Sequence, residues 1–82
     1  MSEIAVQYYN KKFGNSLEKG FIHLAKEMGE LAMGIEKDNK ELAKHEITEL
    51  AALLHWFAKQ VGFELNQNIQ QVYEKKLESL RK

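Results

Sequence analysis

No proline interrupts this 82-residue chain, and its apolar residues recur at helical spacing along most of its length. Proline-free runs of that period leave few options besides packed helices. The first apolar stretch, from a Ser2 cap to about Phe13, places Ile4 and Tyr8 on one side and Val6, Tyr9 and Phe13 on the other. A helix apolar on two sides is usually sandwiched between partners. Gly14-Asn15-Ser16 reads as a stop and restart, with Asn15 or Ser16 as the next cap. A second helix is expected from about Leu17 to Lys37, with Leu17, Leu24, Met28, Leu31 and Ile35, flanked by Phe21, Ala25 and Ala32, forming one stripe. Asp38-Asn39-Lys40-Glu41 has the form of a capping box for a third helix. That helix carries Leu42, Ala43, Ile47, Leu50, Leu53, Leu54, Phe57 and Val61 on its apolar face and stops at Gly62. A fourth helix from Leu65 or Asn66 is expected to turn Ile69, Val72, Tyr73, Leu77 and Leu80 inward.

The expected product is a single all-α domain over residues 1–82. A chain of this size buries only about 60% of its unfolded surface, so packing, metal or oligomerisation must add stability. Cysteine is absent, which removes disulfides, thiolate chemistry and Cys-type zinc sites, and fits a cytoplasmic location. Twelve basic and twelve acidic side chains give no net charge, without the basic excess of a general nucleic-acid binder. There is no stretch of signal-peptide type and no apolar run near the roughly 20 residues of a membrane span.

Against this regular pattern a few charged residues stand out. Glu27 and Glu30 are three apart in the second helix, as are Glu46 and Glu49 in the third. That spacing puts each pair on one side of its helix, where like charges repel. Glu46 falls inside the apolar arc of helix three, between Leu53 and Phe57, with no basic residue three or four positions away. A carboxylate aimed at a core must be protonated, hydrogen-bonded or matched by a cation. Glu27 and Glu30 lie at the edge of their stripe beside His23, Gly20 and Gly34, and helical glycines suggest close approach. Lys76 projects from the apolar face of helix four, so Glu46 and Lys76 can pair as a buried salt bridge. One lysine does not balance four acids, and that surplus favours a divalent cation.

Oxygen-only ligands suit Mg²⁺ or Mn²⁺ rather than zinc. The chemistry such a site supports is attack of water on a phosphoanhydride, with a lysine balancing the leaving group. His23 and His45 each stand four before a glutamate, whereas a di-iron bundle wants Glu-x-x-His, a spacing that does not occur here. They are expected to be exposed or to support Glu27 and Glu49, and His55 to be solvated. Trp56 can stack on a base or pack at the rim of the core.

Lys26-Glu27-Met28-Gly29-Glu30-Leu31-Ala32 and Glu46-Ile47-Thr48-Glu49-Leu50, followed by Leu53-Leu54-His55-Trp56, resemble the MazG-like all-α nucleoside triphosphate pyrophosphohydrolases. The matched region runs from about Leu17 to Lys76, and fifteen residues separate Glu30 from Glu46, a gap of that family's kind. The resemblance implies a four-helix bundle assembled as a dimer or a dimer of dimers. It implies Mg²⁺-dependent conversion of an NTP or dNTP to monophosphate and pyrophosphate. Glu27, Glu30, Glu46 and Glu49 would hold the metal. Lys76, with Lys75 and Arg81, would meet phosphate, and Tyr8, Tyr9, Phe13 or Trp56 would line a base pocket. Glu49 stands where the family usually has Asp, one methylene longer, and the asparagine and arginine that commonly follow its C-terminal lysine are replaced by Ser79, Leu80 and Arg81. Phosphoribosyl-ATP pyrophosphatases share this bundle and similar acid pairs, and Leu53-Leu54-His55 loosely resembles that family, which stands second among the enzymes. The non-enzymatic alternative is an oligomeric helical bundle whose acids serve solubility and pairing.

Overall fold

A computed structural model describes residues 3–81. Those residues form four helices and no strand: α1 (Glu3–Phe13), α2 (Leu17–Glu36), α3 (Lys40–Val61) and α4 (Leu65–Leu80). The Ser2 cap expected for α1 lies outside the described residues.

The boundaries follow local chemistry. Ser16 caps α2, its hydroxyl accepting from the Lys19 amide at 3.2 Å. The turn into α3 differs from the expected capping box. Asp38 adopts a left-handed φ of 54°, and the Asp38 and Asn39 amides donate back to the Ile35 and Gly34 carbonyls at 3.1 and 2.8 Å. That is a Schellman closure of α2, and it uses Asp38 up. The cap of α3 therefore passes to Asn39, whose Oδ1 accepts from the Leu42 amide at 3.0 Å. Gly62, at φ 106°, ends α3 as its position suggests, and Glu64 caps α4.

α3 is the central element, with α2 packed antiparallel along one side and α1 along another. The core is Tyr9, Leu53 and Trp56, ringed by Val6, Phe13, Leu24, Ala52 and Phe57. Trp56 has 0% of its surface exposed and packs edge-on to Phe13 and Phe57. Its indole N–H donates to Asn10 Oδ1 at 3.0 Å, and the Gln60 amide donates to the same oxygen at 3.3 Å, fastening α1 to α3.

The inward face of α2 is not the expected aliphatic stripe. Leu24 and Leu31 are half-buried, but Leu17, Phe21, Met28 and Ile35 are exposed, and the buried positions are Gly20, Glu27 and Gly34. The glycines explain the shift. A methyl on Gly20 would drive into the Trp56 ring, and one on Gly34 would sit 3.1 Å from the Ala43 backbone nitrogen. The helices approach most closely where α2 has no side chains, so the bulky residues are rotated outward. On α3, Ile47, Leu54 and Val61 are likewise exposed.

α4 corrects the expectation most sharply. It touches only α3, and Ile69, Val72, Tyr73, Leu77 and Leu80 are exposed, from 38% at Val72 to 82% at Leu80. Lys76 does not pair with Glu46; its ammonium lies 5.3 Å from the centre of the Tyr73 ring on its own helix. The radius of gyration is 14.8 Å, against about 11.7 Å for a compact domain of this length. The accessible surface is 6491 Å², roughly 1,400 Å² above that of a typical folded monomer of this mass. Much of the chain's apolar surface lies outside its own core. None of the described helices is long and apolar enough to cross a membrane.

Gly29 faces open space, in contrast to Gly20 and Gly34. Gly29→Ala is expected to stabilise the chain by up to about 1 kcal/mol through helix propensity alone. Gly20→Ala and Gly34→Ala should destabilise it, because overpacking at about 1–3 kcal/mol outweighs the same gain. Urea melts followed by far-UV circular dichroism test the contrast, and equal shifts for all three would show that the glycines do not set the α2–α3 spacing.

Candidate metal centre

The two glycine contacts fix the register of the α2–α3 hairpin. With Gly20 against Trp56 and Gly34 against Ala43, antiparallel helices place Glu30 level with Glu46 and Glu27 level with Glu49. All four acids are therefore drawn to the middle of the hairpin. Glu27 is 6% exposed and Glu46 only 3%; Glu30 and Glu49 are half-buried. Ligand oxygens of Glu27, Glu30 and Glu46 lie within 4.8 Å of one another. Glu49 groups instead with Glu27 and His23, again within 4.8 Å.

No lysine or arginine enters this cluster: among the described residues the ion pairs are His23–Glu27, at 3.5 Å, and the exposed Arg81–Glu78. Glu46 Oε1 is buried with no hydrogen-bond partner. Leaving a buried acceptor unmatched costs about 1–3 kcal/mol, and more if it is charged. The strain appears as a raised pKa. The Glu46 carboxyl is pushed from 4.5 up to about 7, first by the Glu27 carboxyl beside it, then by burial and then by Glu30.

α1 closes one side. The Tyr9 ring is buried, stacked on Phe13 at 5.5 Å and tilted against His23 at 6.1 Å. Burial raises its hydroxyl to about 12, helped by the negative charges of Glu49 and Glu27 and by Tyr8. His23 also lies 5.5 Å from the Phe13 ring, so two aromatic side chains hold the imidazole beside Glu27.

The remaining sequence-derived candidates are dispersed. Trp56 presents no exposed face to a base; it is the centre of the core rather than its rim. Tyr8 is exposed, edge-on to Tyr9 at 5.0 Å, with the Lys12 ammonium 6.0 Å from its ring centre. Lys75, Lys76 and Arg81 stand on the exposed C-terminal stretch and make no ion pair with the acids. His45 is exposed. His55 is half-buried rather than solvated, lining a groove of about 440 Å³ with Val6, Lys59 and Phe63. Helical periodicity does not single out Tyr9 and His23 as joint neighbours of Glu27 and Glu49, because that contact depends on how α1 docks.

A ring of acids with one orphaned oxygen suits a hard divalent cation, which would supply the missing partner and offset the repulsion. Comparison with known protein families, curated proteins and solved structures finds no significant match to this chain.

The pH dependence of metal-free protein follows from Glu46. Between about 4.5 and 7 the folded chain holds a proton that the unfolded chain releases. The stability this contributes is complete below pH 4.5 and is lost as pH rises through 7. Thermal melts in a chelator should therefore show a Tm that falls between pH 5 and pH 8, with a shallower fall in Glu46→Gln. A Tm rising over that range would show that Glu46 is not the strained group.

Proposed function

We propose that this chain is a Mg²⁺- or Mn²⁺-dependent nucleotide pyrophosphohydrolase of the MazG-like kind, cleaving an NTP or dNTP to its monophosphate and pyrophosphate. The observation that carries the reading is the buried Glu46 oxygen, without a partner, facing Glu27 and Glu30 across the α2–α3 hairpin. Those three carboxylates would hold the cation, and Glu49 completes the acid set. A bound divalent cation in such a site polarises a phosphoryl group and lowers the pKa of a water molecule. The chain's own part is to hold the carboxylates in a rigid hairpin, so that little reorganisation is needed as charge develops. Tyr9, buried and close enough to Glu49 and Glu27 to feel their charge, would screen the α1 side of the site from water.

The same reading includes self-association. The surplus of roughly 1,400 Å² per chain is of the size an obligate dimer buries, and the exposed stripe on α4 is apolar at helical spacing. Because Lys75, Lys76 and Arg81 make no ion pair with the four clustered acids of their own chain, the assembly would have to bring Lys76, with Lys75 and Arg81, toward phosphate.

Three measurements test the proposal. Mg²⁺ at millimolar concentration should raise the Tm of wild type, by mass action on the folded state, and the rise should vanish in Glu30→Gln. A panel of NTPs and dNTPs with Mg²⁺ should release pyrophosphate. Release of phosphate alone, or no release together with no thermal shift, would refute the enzyme. Sedimentation should give a mass of at least two chains, falling to one in Ile69→Glu/Leu77→Glu; a monomeric wild type would refute the assembly.

A further inference from the structure

The acids do not share a single point. One group is Glu27, Glu30 and Glu46; the other is His23, Glu27 and Glu49; Glu27 alone belongs to both. We propose that the cluster holds two cations bridged by the Glu27 carboxylate, the second at a mixed imidazole–carboxylate position made by His23, Glu27 and Glu49. This rests on the reading of Glu27, Glu30 and Glu46 as the first position, and it adds a ligand of different chemistry.

Charge balance supports two ions over one. Four carboxylates carry four negative charges when ionised, and no lysine or arginine pairs with any of them among the described residues. One divalent cation offsets half of that charge; two offset all of it. Burial supports it independently. The Glu27 side chain is only 8% exposed, and its one ion-pair partner is the His23 Nε2 at 3.5 Å, a separation longer than a good charge-assisted hydrogen bond. On the other side of Glu27, the Glu46 oxygen is buried and unpartnered. The shared carboxylate thus has a long ion pair on one side and an unpartnered oxygen on the other. The imidazole is also fixed in place, because His23 lies against the Tyr9 and Phe13 rings with its side chain 21% exposed.

The two positions differ in preference. The all-oxygen group suits Mg²⁺ or Mn²⁺, whereas an imidazole nitrogen favours a transition ion over Mg²⁺. Carboxylate-bridged pairs of ions about 3.5–4 Å apart recur in enzymes that cleave phosphate esters and anhydrides.

Mn²⁺ titration of the whole protein, followed by the loss of the free-ion electron paramagnetic resonance signal, counts the sites. Two Mn²⁺ per chain are expected, with ¹⁴N modulation from a bound imidazole in the spin-echo spectrum. His23→Gln should bind one Mn²⁺ per chain, lose the modulation and keep its helical circular dichroism; its second equivalent should weaken at least tenfold. Glu30→Gln should lose one equivalent and keep the modulation. One Mn²⁺ per chain without nitrogen modulation in wild type would overturn the second position and leave the first standing. No bound Mn²⁺ would overturn both. Should His23→Gln fail to fold, the wild-type spectrum alone decides, since two bound ions without imidazole modulation also refute the assignment.

Discussion

The close approach of α2 and α3 at Gly20 and Gly34 is the constraint on which the rest of this structure depends. Two helices can come that near only where side chains are missing, and the chain lacks them at both ends of the segment that carries Glu27 and Glu30. Between those two points the acids of one helix have nowhere to go except toward those of the other. The result is unfavourable for a bare protein: a carboxyl held near pKa 7, an oxygen without a donor and, among the described residues, no lysine or arginine paired with the cluster. Packing holds like charges together against their repulsion, and a group perturbed in this way by burial and by its neighbours is a candidate for a functional site.

The same geometry explains why the outside of the molecule is so apolar. Rotating α2 to turn its glycines inward turns Phe21, Met28 and Ile35 outward, and the short turn at Gly62 sends α4 off with only α3 to touch. A core limited largely to Tyr9, Leu53 and Trp56 is small for a chain of this length. The hydrophobic residues are sufficient in number, but they are distributed over two kinds of surface. One kind is satisfied within the chain. The other faces outward, on α2, α3 and α4.

Much of this is legible in the sequence, with instructive exceptions. Helix number and limits follow from periodicity and punctuation, because Gly14, Gly62 and the polar caps act locally. Glu46 can be singled out because it interrupts an apolar arc whose register its neighbours fix. Periodicity places Glu27 only at an edge, because the aliphatic residues of α2 outweigh its glycines in any such argument. It detects an apolar stripe but not whether that stripe meets the same chain, and that is why it turns α4 inward when the helix in fact faces out. The box at Asp38 fails for a local reason: a tight helix closure and a helix cap compete for the same residue. His23 beside Glu27 is legible as a contact one turn apart on α2, but Tyr9 beside Glu49 is not, because it depends on how α1 docks, through Val6, Tyr9, Phe13 and the bond from Trp56 to Asn10.

That asparagine has a practical consequence. Trp56 is the chain's only tryptophan, and it is fully enclosed with its N–H bonded to Asn10 of α1. Its fluorescence colour and intensity thus report on whether the first helix is seated, while circular dichroism reports on helix content as a whole. A fluorescence transition that precedes the loss of helical circular dichroism would mark release of the amino-terminal helix as a step of its own, and coincident transitions would mark one cooperative unit.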